Sequence, residues 1–241
     1  MSRFRVTPSV IPNLFTAMNM FSGFLSIVSA SQGKFIYAAW LIIIAGIFDA
    51  LDGAMARLTR SSSEIGVELD SLSDVVSFGA APAFLIYTSY LYQYEVIGII
   101  ISSLLMLAGG FRLARFNVQL VGFEKSYFKG LPIPSSAITI ASFCLAFYRS
   151  PEGYPQPYTV IIIPMILLLS WLMVSRIKYD TIPKFSIKEI KEKPYILFLI
   201  LFAVFLLIFY TFTQALFFMF VFIIVFGIFR HVFYFVKKKF S

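Results

Sequence analysis

The sequence predicts an all-α polytopic membrane protein: eight transmembrane helices, arranged as a six-helix core followed by a C-terminal pair, with both termini in the cytoplasm. Three observations carry that prediction. The 241 residues are 59% hydrophobic and 18% aromatic but only 13% charged, against roughly 25% charged in an ordinary soluble domain. Mean hydropathy is +0.87, so the chain has too little polar surface to cover a soluble globule. Apolar stretches of about the 20 residues needed to cross the hydrocarbon recur along its length, and basic residues crowd into alternate connections, as cytoplasmic flanks do.

The first stretch, 10–31, follows Arg3 and Arg5 and superficially resembles a signal peptide. Asn13, Thr16, Asn19 and Ser22 argue for a retained helix, since polar groups are costly in a plain apolar segment but useful on a face that looks into a polar cavity. Ser-Gln-Gly-Lys (31–34) then separates it from 36–60, and Ser61–Ser63 separates that from 67–92. These two spans are the least apolar, and both carry carboxylates. Tyr-Gln-Tyr-Glu (92–95) leads to 95–118, a basic loop near 119–130 to 133–149, and the Pro/Gly-rich 150–157 to 157–177. The charged segment 178–193 precedes the last two spans, 194–211 and 213–235, which meet at a minimal turn and contain almost no intramembrane polarity; their Phe-rich stripes are expected to face lipid.

An even number of spans puts both termini on one side. With that side in the cytoplasm, Arg3, Arg5, Arg57, Arg60, Arg112, Arg115, Lys125, Lys129, Arg176, Lys178, Lys184, Lys188, Lys191, Lys193, Arg230, Lys237, Lys238 and Lys239 all lie inside, which is 18 of the 20 basic residues. Only Lys34 and Arg149 remain outside. Topology and contact with anionic headgroups therefore explain the net charge of +8, and nucleic acid is not expected as a partner.

Four aspartates, Asp49, Asp52, Asp70 and Asp74, fall in the second and third spans. A carboxylate at membrane depth costs several kcal/mol, so a group of them points to function. Asp49, Asp52, Gly53 and Ala56 share one helical face, and Gly66, Asp70 and Asp74 share one face of the next. Clustered carboxylates repel unless cations neutralise them. With one cysteine, Cys144, and one histidine, His231, the chain has no soft-metal cluster, and oxygen donors select hard ions such as Mg²⁺, Mn²⁺ or Ca²⁺. Two such ions bridged by shared aspartates suit displacement at phosphorus. Gly53, Ala56 and Gly66 leave room for a phosphate and a nucleotide, and Arg57 has the fork that grips phosphate oxygens. The plainer possibility is that the acids are solvated helix ends, with Asp49 or Asp52 paired to Arg57.

The run Asp49-Ala-Leu-Asp52-Gly53-Ala-Met-Ala56-Arg57, eight further residues, then Gly66-Val-Glu-Leu-Asp70-Ser-Leu-Ser-Asp74 resembles the complete signature of the CDP-alcohol phosphotransferase family. The resemblance implies a core of six transmembrane helices over 1–185, with 186–241 as a two-helix extension. It also implies two divalent cations, Mg²⁺ or Mn²⁺, held by Asp49, Asp52, Asp70 and Asp74, with Asp74 as the general base. Asp52, Gly53, Ala56, Arg57, Ser63 and Gly66 would hold the cytidine diphosphate, with Asn13 and Thr16 closing over the nucleotide. A homodimer in the cell membrane, its active site facing the cytoplasm, is the corresponding expectation.

Further blocks, Pro12-Asn13-Leu-Phe-Thr16, Leu69–Gly79, Arg112-Leu-Ala-Arg115-Phe116-Asn117 and Gly130-Leu-Pro132-Ile-Pro134-Ser135-Ser136, resemble the branch of that family that uses L-serine as acceptor. The implied reaction moves a phosphatidyl group from CDP-diacylglycerol, or a CDP-archaeol type lipid, to serine and releases CMP. Serine brings a carboxylate, an ammonium and a hydroxyl. Arg112 or Arg115 offers a cation for the first, Asn117 and Glu68 offer groups for the second, and Ser135 and Ser136 are secondary candidates for substrate contact. Glycerol phosphate or inositol phosphate as acceptor is the nearest alternative. A divalent-cation transporter that uses the same carboxylates is a remote one.

Overall fold

The computed structural model describes residues 10–59, 64–121, 130–177, 179, 206–208 and 210–240. Among the described residues the regular structure is helical: α1 (Val10–Ser31), α2 (Phe35–Thr59), α3 (Glu64–Asp74), α4 (Ala81–Ser89), α5 (Glu95–Val121), α6 (Ile133–Phe147), α7 (Tyr158–Val174) and α8 (Phe212–Phe240). Among the described residues five spans are long and apolar enough to cross a membrane, namely Val10–Ser31, Phe35–Thr59, Ile65–Ser89, Leu91–Val118 and Phe212–His231, and α6 and α7 are shorter apolar helices. The chain is an integral membrane protein by this measure. The expected span 194–211 falls almost wholly outside the described residues.

α1 is built inside out relative to a soluble helix. Its buried stripe is Pro12, Thr16, Asn19, Ser22, Gly23, Ser26, Ser29 and Ala30, while Leu14, Met18, Phe21 and Phe24 are exposed. In a bilayer apolar side chains gain nothing by leaving lipid, so small and polar residues make the helix contacts. Ser22 and Ser29 return their hydroxyl protons to the carbonyls of Met18 and Leu25 at 2.8 and 2.7 Å, and Ser26 donates to the Ala38 carbonyl of α2 at 2.8 Å. Gly23 is the point of closest approach to the third span. A Cβ there would lie 2.6 Å from the Cα of Ser77, so only glycine allows the two backbones to meet.

The third span is expected as one helix over 67–92, and the structure adds a feature that no periodicity announces. A π-helical turn, Val75–Ala80, joins α3 to α4, and the span ends at Ser89, before a 3₁₀ turn at Leu91–Tyr94. Pro82 gives the physical reason: it has no N–H to offer the carbonyl of Phe78, and its ring crowds that carbonyl. The preceding turn widens, and the N–H of Ala81 bonds to Val76 instead, five residues back. Such turns are frequent at functional sites, and this one begins immediately after Asp74.

The core's far end is aromatic. Phe143 and Phe147 of α6 pack against Tyr154, Tyr158 and Phe217 of α8, with ring centroids 5.5 and 5.4 Å from Phe217 to Phe143 and Phe147. The Phe stripe of the last helix is therefore divided. Phe212 and Phe229 are exposed as expected, whereas Phe217 is buried because the α6 surface presents rings for it to pack on.

Candidate active site

α2 supplies Asp49 and α3 supplies Asp70 and Asp74, four residues apart and thus one turn apart on one face. Each offers a carboxylate oxygen, and the three oxygens lie within 4.8 Å of one another. Two unit charges about 4 Å apart at an effective dielectric near 20 repel by about 4 kcal/mol, so three anions gathered here call for a cation. Asp70 Oδ1 and Asp74 Oδ1 are buried with no hydrogen-bond partner. An all-oxygen set with orphaned buried oxygens fits a hard divalent ion.

Asp52 stands one turn along α2 from Asp49 and is outside that triad of oxygens. It is buried, and its Oδ2 accepts a hydrogen bond from the Thr16 hydroxyl at 3.0 Å. The same hydroxyl is 3.1 Å from the Pro12 carbonyl, so Thr16 is tied to both its own helix and α2. Asn13, one turn before Thr16, is half-buried. Arg57 lies over Gly53: a Cβ at Gly53 would sit 3.4 Å from the Arg57 Nη1, and Asp52 is engaged by Thr16 rather than by this guanidinium. A Cβ at that distance is in ordinary contact, so the guanidinium lies along the Gly53 face of α2. Ala56 and Gly66 are half-buried and Glu68 is exposed. Ser63 lies outside the described residues.

Two serines of the Leu69–Gly79 block, to which the sequence alone assigns no role, bind the third span to α1. Ser73 Oγ donates to the Thr16 carbonyl at 3.0 Å and Ser77 Oγ to the Asn19 carbonyl at 2.8 Å. Their signal was present, because Ser73 and Ser77 repeat the four-residue spacing of Asp70 and Asp74. They hold α3 at a fixed height against α1, which sets where the two aspartates reach.

The residues expected to meet the acceptor separate into distinct places. Arg112 is buried, its Nε has no hydrogen-bond partner, and it lies within electrostatic reach of Asp74. Arg115 points elsewhere: its Nη1 donates to the Val174 carbonyl at 3.0 Å and its Nη2 to the Ser175 carbonyl at 3.3 Å. It closes the C-terminus of α7, where carbonyls lack intrahelical partners and a cation is favoured. Gly130 makes room for that contact. With φ +92° it occupies a conformation that L side chains resist, and a Cβ there would run into the Met173 carbonyl at the end of α7 as well as meeting the Arg115 Nη2 at 3.2 Å. Its N–H bonds to the Ile177 carbonyl at 2.8 Å. Asn117 donates to Ser71 Oγ at 3.0 Å, joining α5 to α3. Ser135 is half-buried and its carbonyl accepts from Thr139, while Ser136 is buried at the start of α6.

Comparison with known proteins matches this geometry to a lineage. Residues 9–174 match the family model described as CDP-alcohol phosphatidyltransferase. The chain is similar to the CDP-diacylglycerol–serine O-phosphatidyltransferase of Helicobacter pylori (strain J99), at 37% identity over 96% of this chain and 95% of that protein. It is also similar to the archaetidylserine synthase of Methanothermobacter thermautotrophicus, at 40% identity over 71% of this chain and 70% of that one. Among solved structures, Mycobacterium tuberculosis phosphatidylinositol phosphate synthase with CDP-DAG bound superimposes with a TM-score of 0.52 at 20% identity, covering 70% of this chain and 82% of the other. That likeness is one of fold.

Proposed function

The chain belongs to the CDP-alcohol phosphatidyltransferase family, and we propose that its reaction is transfer of the phosphatidyl group of CDP-diacylglycerol, or of an ether-linked equivalent, to the hydroxyl of L-serine. The products are phosphatidylserine, or its ether analogue, and CMP. The observation that carries this reading is the 37% identity, sustained over 96% of the chain, to an enzyme whose name specifies serine as acceptor. The archaeal relative named for archaetidylserine supports the same headgroup on a different lipid.

The residues divide the work as follows. Asp49, Asp52, Asp70 and Asp74 would hold two divalent cations, Mg²⁺ or Mn²⁺. Such ions supply charge compensation for the diphosphate and for the oxygens that enter and leave phosphorus. Thr16 fixes Asp52 for this purpose through its 3.0 Å hydrogen bond. Arg57, resting on Gly53, grips the phosphate that departs with cytidine, and Gly66, Ala56, Ser63 and Asn13 complete the nucleotide's surroundings. Asp74 accepts the proton of the serine hydroxyl. The freed oxygen bonds to the phosphorus nearer the lipid as the bond to the bridging diphosphate oxygen breaks. Arg112, buried within electrostatic reach of Asp74 and with an unpartnered Nε, is the cation for the serine carboxylate. Arg115 holds the end of α7 through the Val174 and Ser175 carbonyls.

The site belongs on the cytoplasmic side of the cell membrane, where 18 of 20 basic residues would then lie, and the lipid tails of the donor stay in the bilayer throughout. The test is an acceptor panel. Purified protein given CDP-diacylglycerol is expected to release CMP with L-serine and not with glycerol phosphate or inositol phosphate. CMP release with a phosphorylated acceptor but not with serine overturns the choice of acceptor.

A further inference from the structure

Asn19 is fully buried on α1, three residues beyond Thr16 on the same stripe, and neither Nδ2 nor Oδ1 has a hydrogen-bond partner. Ser73 and Ser77, on either side of Asp74 in the chain, bond to the Thr16 and Asn19 carbonyls, which brings the Asp74 carboxyl within loose hydrogen-bonding reach of this amide, and Asp74 Oδ1 is likewise buried with no hydrogen bond of ordinary length. A buried amide left unpaired costs about 1–3 kcal/mol per group, which is hard to reconcile with a residue whose only task is to fill space.

The surrounding backbone leaves this amide little freedom. Its own carbonyl accepts from Ser77 Oγ at 2.8 Å. One turn further, a Cβ at Gly23 would lie 2.6 Å from the Cα of Ser77, so α1 and the π turn are in backbone contact there. Thr16 displays the same construction one turn earlier: its carbonyl accepts from Ser73 at 3.0 Å while its hydroxyl reaches Asp52 at 3.0 Å. α1 thus binds the third span through two carbonyls and presents two side chains, at helical spacing, to two of the four aspartates.

We propose that Asn19 is the positioning residue of Asp74. Its Nδ2–H donates to one lone pair of the Asp74 carboxylate in the substrate-loaded site and fixes the rotation of a group whose remaining lone pairs face the acceptor hydroxyl and would serve the cation. Hydrogen bonds of this kind are often incomplete before substrate binds and tighten afterwards. A neutral amide suits the place, because a lysine or arginine there would add a positive charge competing with the cation that the carboxylates require. The inference rests on the functional reading above, in which Asp74 is the base, and adds the residue that aims it.

Two near-isosteric variants of the full-length protein test it. Asn19→Leu keeps the branched shape and removes the donor; Asn19→Val is closer in volume, equally neutral, and also removes the donor. Both are expected to lower kcat by about 10- to 100-fold while KM for serine and for CDP-diacylglycerol, and Mn²⁺ affinity measured by electron paramagnetic resonance, change by less than about threefold. The solvent deuterium isotope effect on kcat should rise, since a misaimed base makes proton transfer more limiting; loss of packing alone would not move it. Turnover by either variant at the parent's rate overturns the proposal, as does a loss confined to KM or to Mn²⁺ affinity. Failure of the parent itself to use serine counts against the functional reading and is visible in the same assay.

Discussion

Asp74→Asn is expected to reduce turnover by about 100- to 10,000-fold, the usual range for loss of a general base, while Mn²⁺ binding is at least partly retained. Asparagine preserves the shape of the side chain and one oxygen donor, and Asp49 and Asp70 still present oxygens within the 4.8 Å cluster. What it removes is the group proposed to take the acceptor's proton. The buried position of Asp74 leaves water poorly placed to substitute. The measurement is steady-state CMP release alongside a Mn²⁺ titration of the same preparation. Near-normal turnover would remove Asp74 from the role of base, and complete loss of Mn²⁺ binding would mean that its contribution is to the ion rather than to the proton.

Removal of divalent cations carries the other large effect. Three carboxylates from two helices are drawn together against their mutual repulsion, with two of their oxygens buried and unpaired. Without a cation the donor's diphosphate would enter a cluster of like charge. Dialysis against a chelator is therefore expected to abolish transfer to serine, and added Mg²⁺ or Mn²⁺ to restore it. Asp70→Asn should raise the metal concentration needed for half-maximal activity by about tenfold or more, since one charged donor is lost from a hard-ion site. Full activity after exhaustive chelation would refute the ionic account of the cluster.

The charged residues made much of this site legible before any coordinates. An aspartate in an apolar span is expensive enough to be conspicuous, and the spacing of Asp70 and Asp74 placed them on one face. The all-helical fold followed from the length of the apolar runs. What escaped the sequence was decided by contacts between distant segments. Asp52 shares the signature with Asp49 but is taken up by Thr16, 36 residues away. Arg115 looks equivalent to Arg112 three residues earlier, yet its fork is held by carbonyls about 60 residues further along, and nothing local marks that difference. Phe217 resembles its lipid-facing neighbours until α6 is seen to offer Phe143 and Phe147. The π turn after Asp74 is a middle case. Pro82 signals a disturbance, but a kink, a break and a widened turn all satisfy a missing N–H.

Asn19 illustrates the same limit from the other direction. Its polarity argued for a retained first helix, but a polar residue on a stripe of Thr and Ser reads as helix-packing material. Only the partners of its neighbours, Ser73 on the Thr16 carbonyl and Ser77 on the Asn19 carbonyl, bring its side chain to Asp74. On the proposal above, the first helix would position the base as well as wall the bundle.

The central step is attack by the serine oxygen at phosphorus with departure of CMP. L-Serine labelled with ¹⁸O in its hydroxyl, incubated with the purified protein, Mg²⁺ or Mn²⁺ and CDP-diacylglycerol, tests that step directly by mass spectrometry of both products. The prediction is that the label is retained in the lipid-linked serine and that CMP carries none, the two products forming in equal amounts. Label in CMP, or CMP released at the same rate whether or not serine is present, would contradict it.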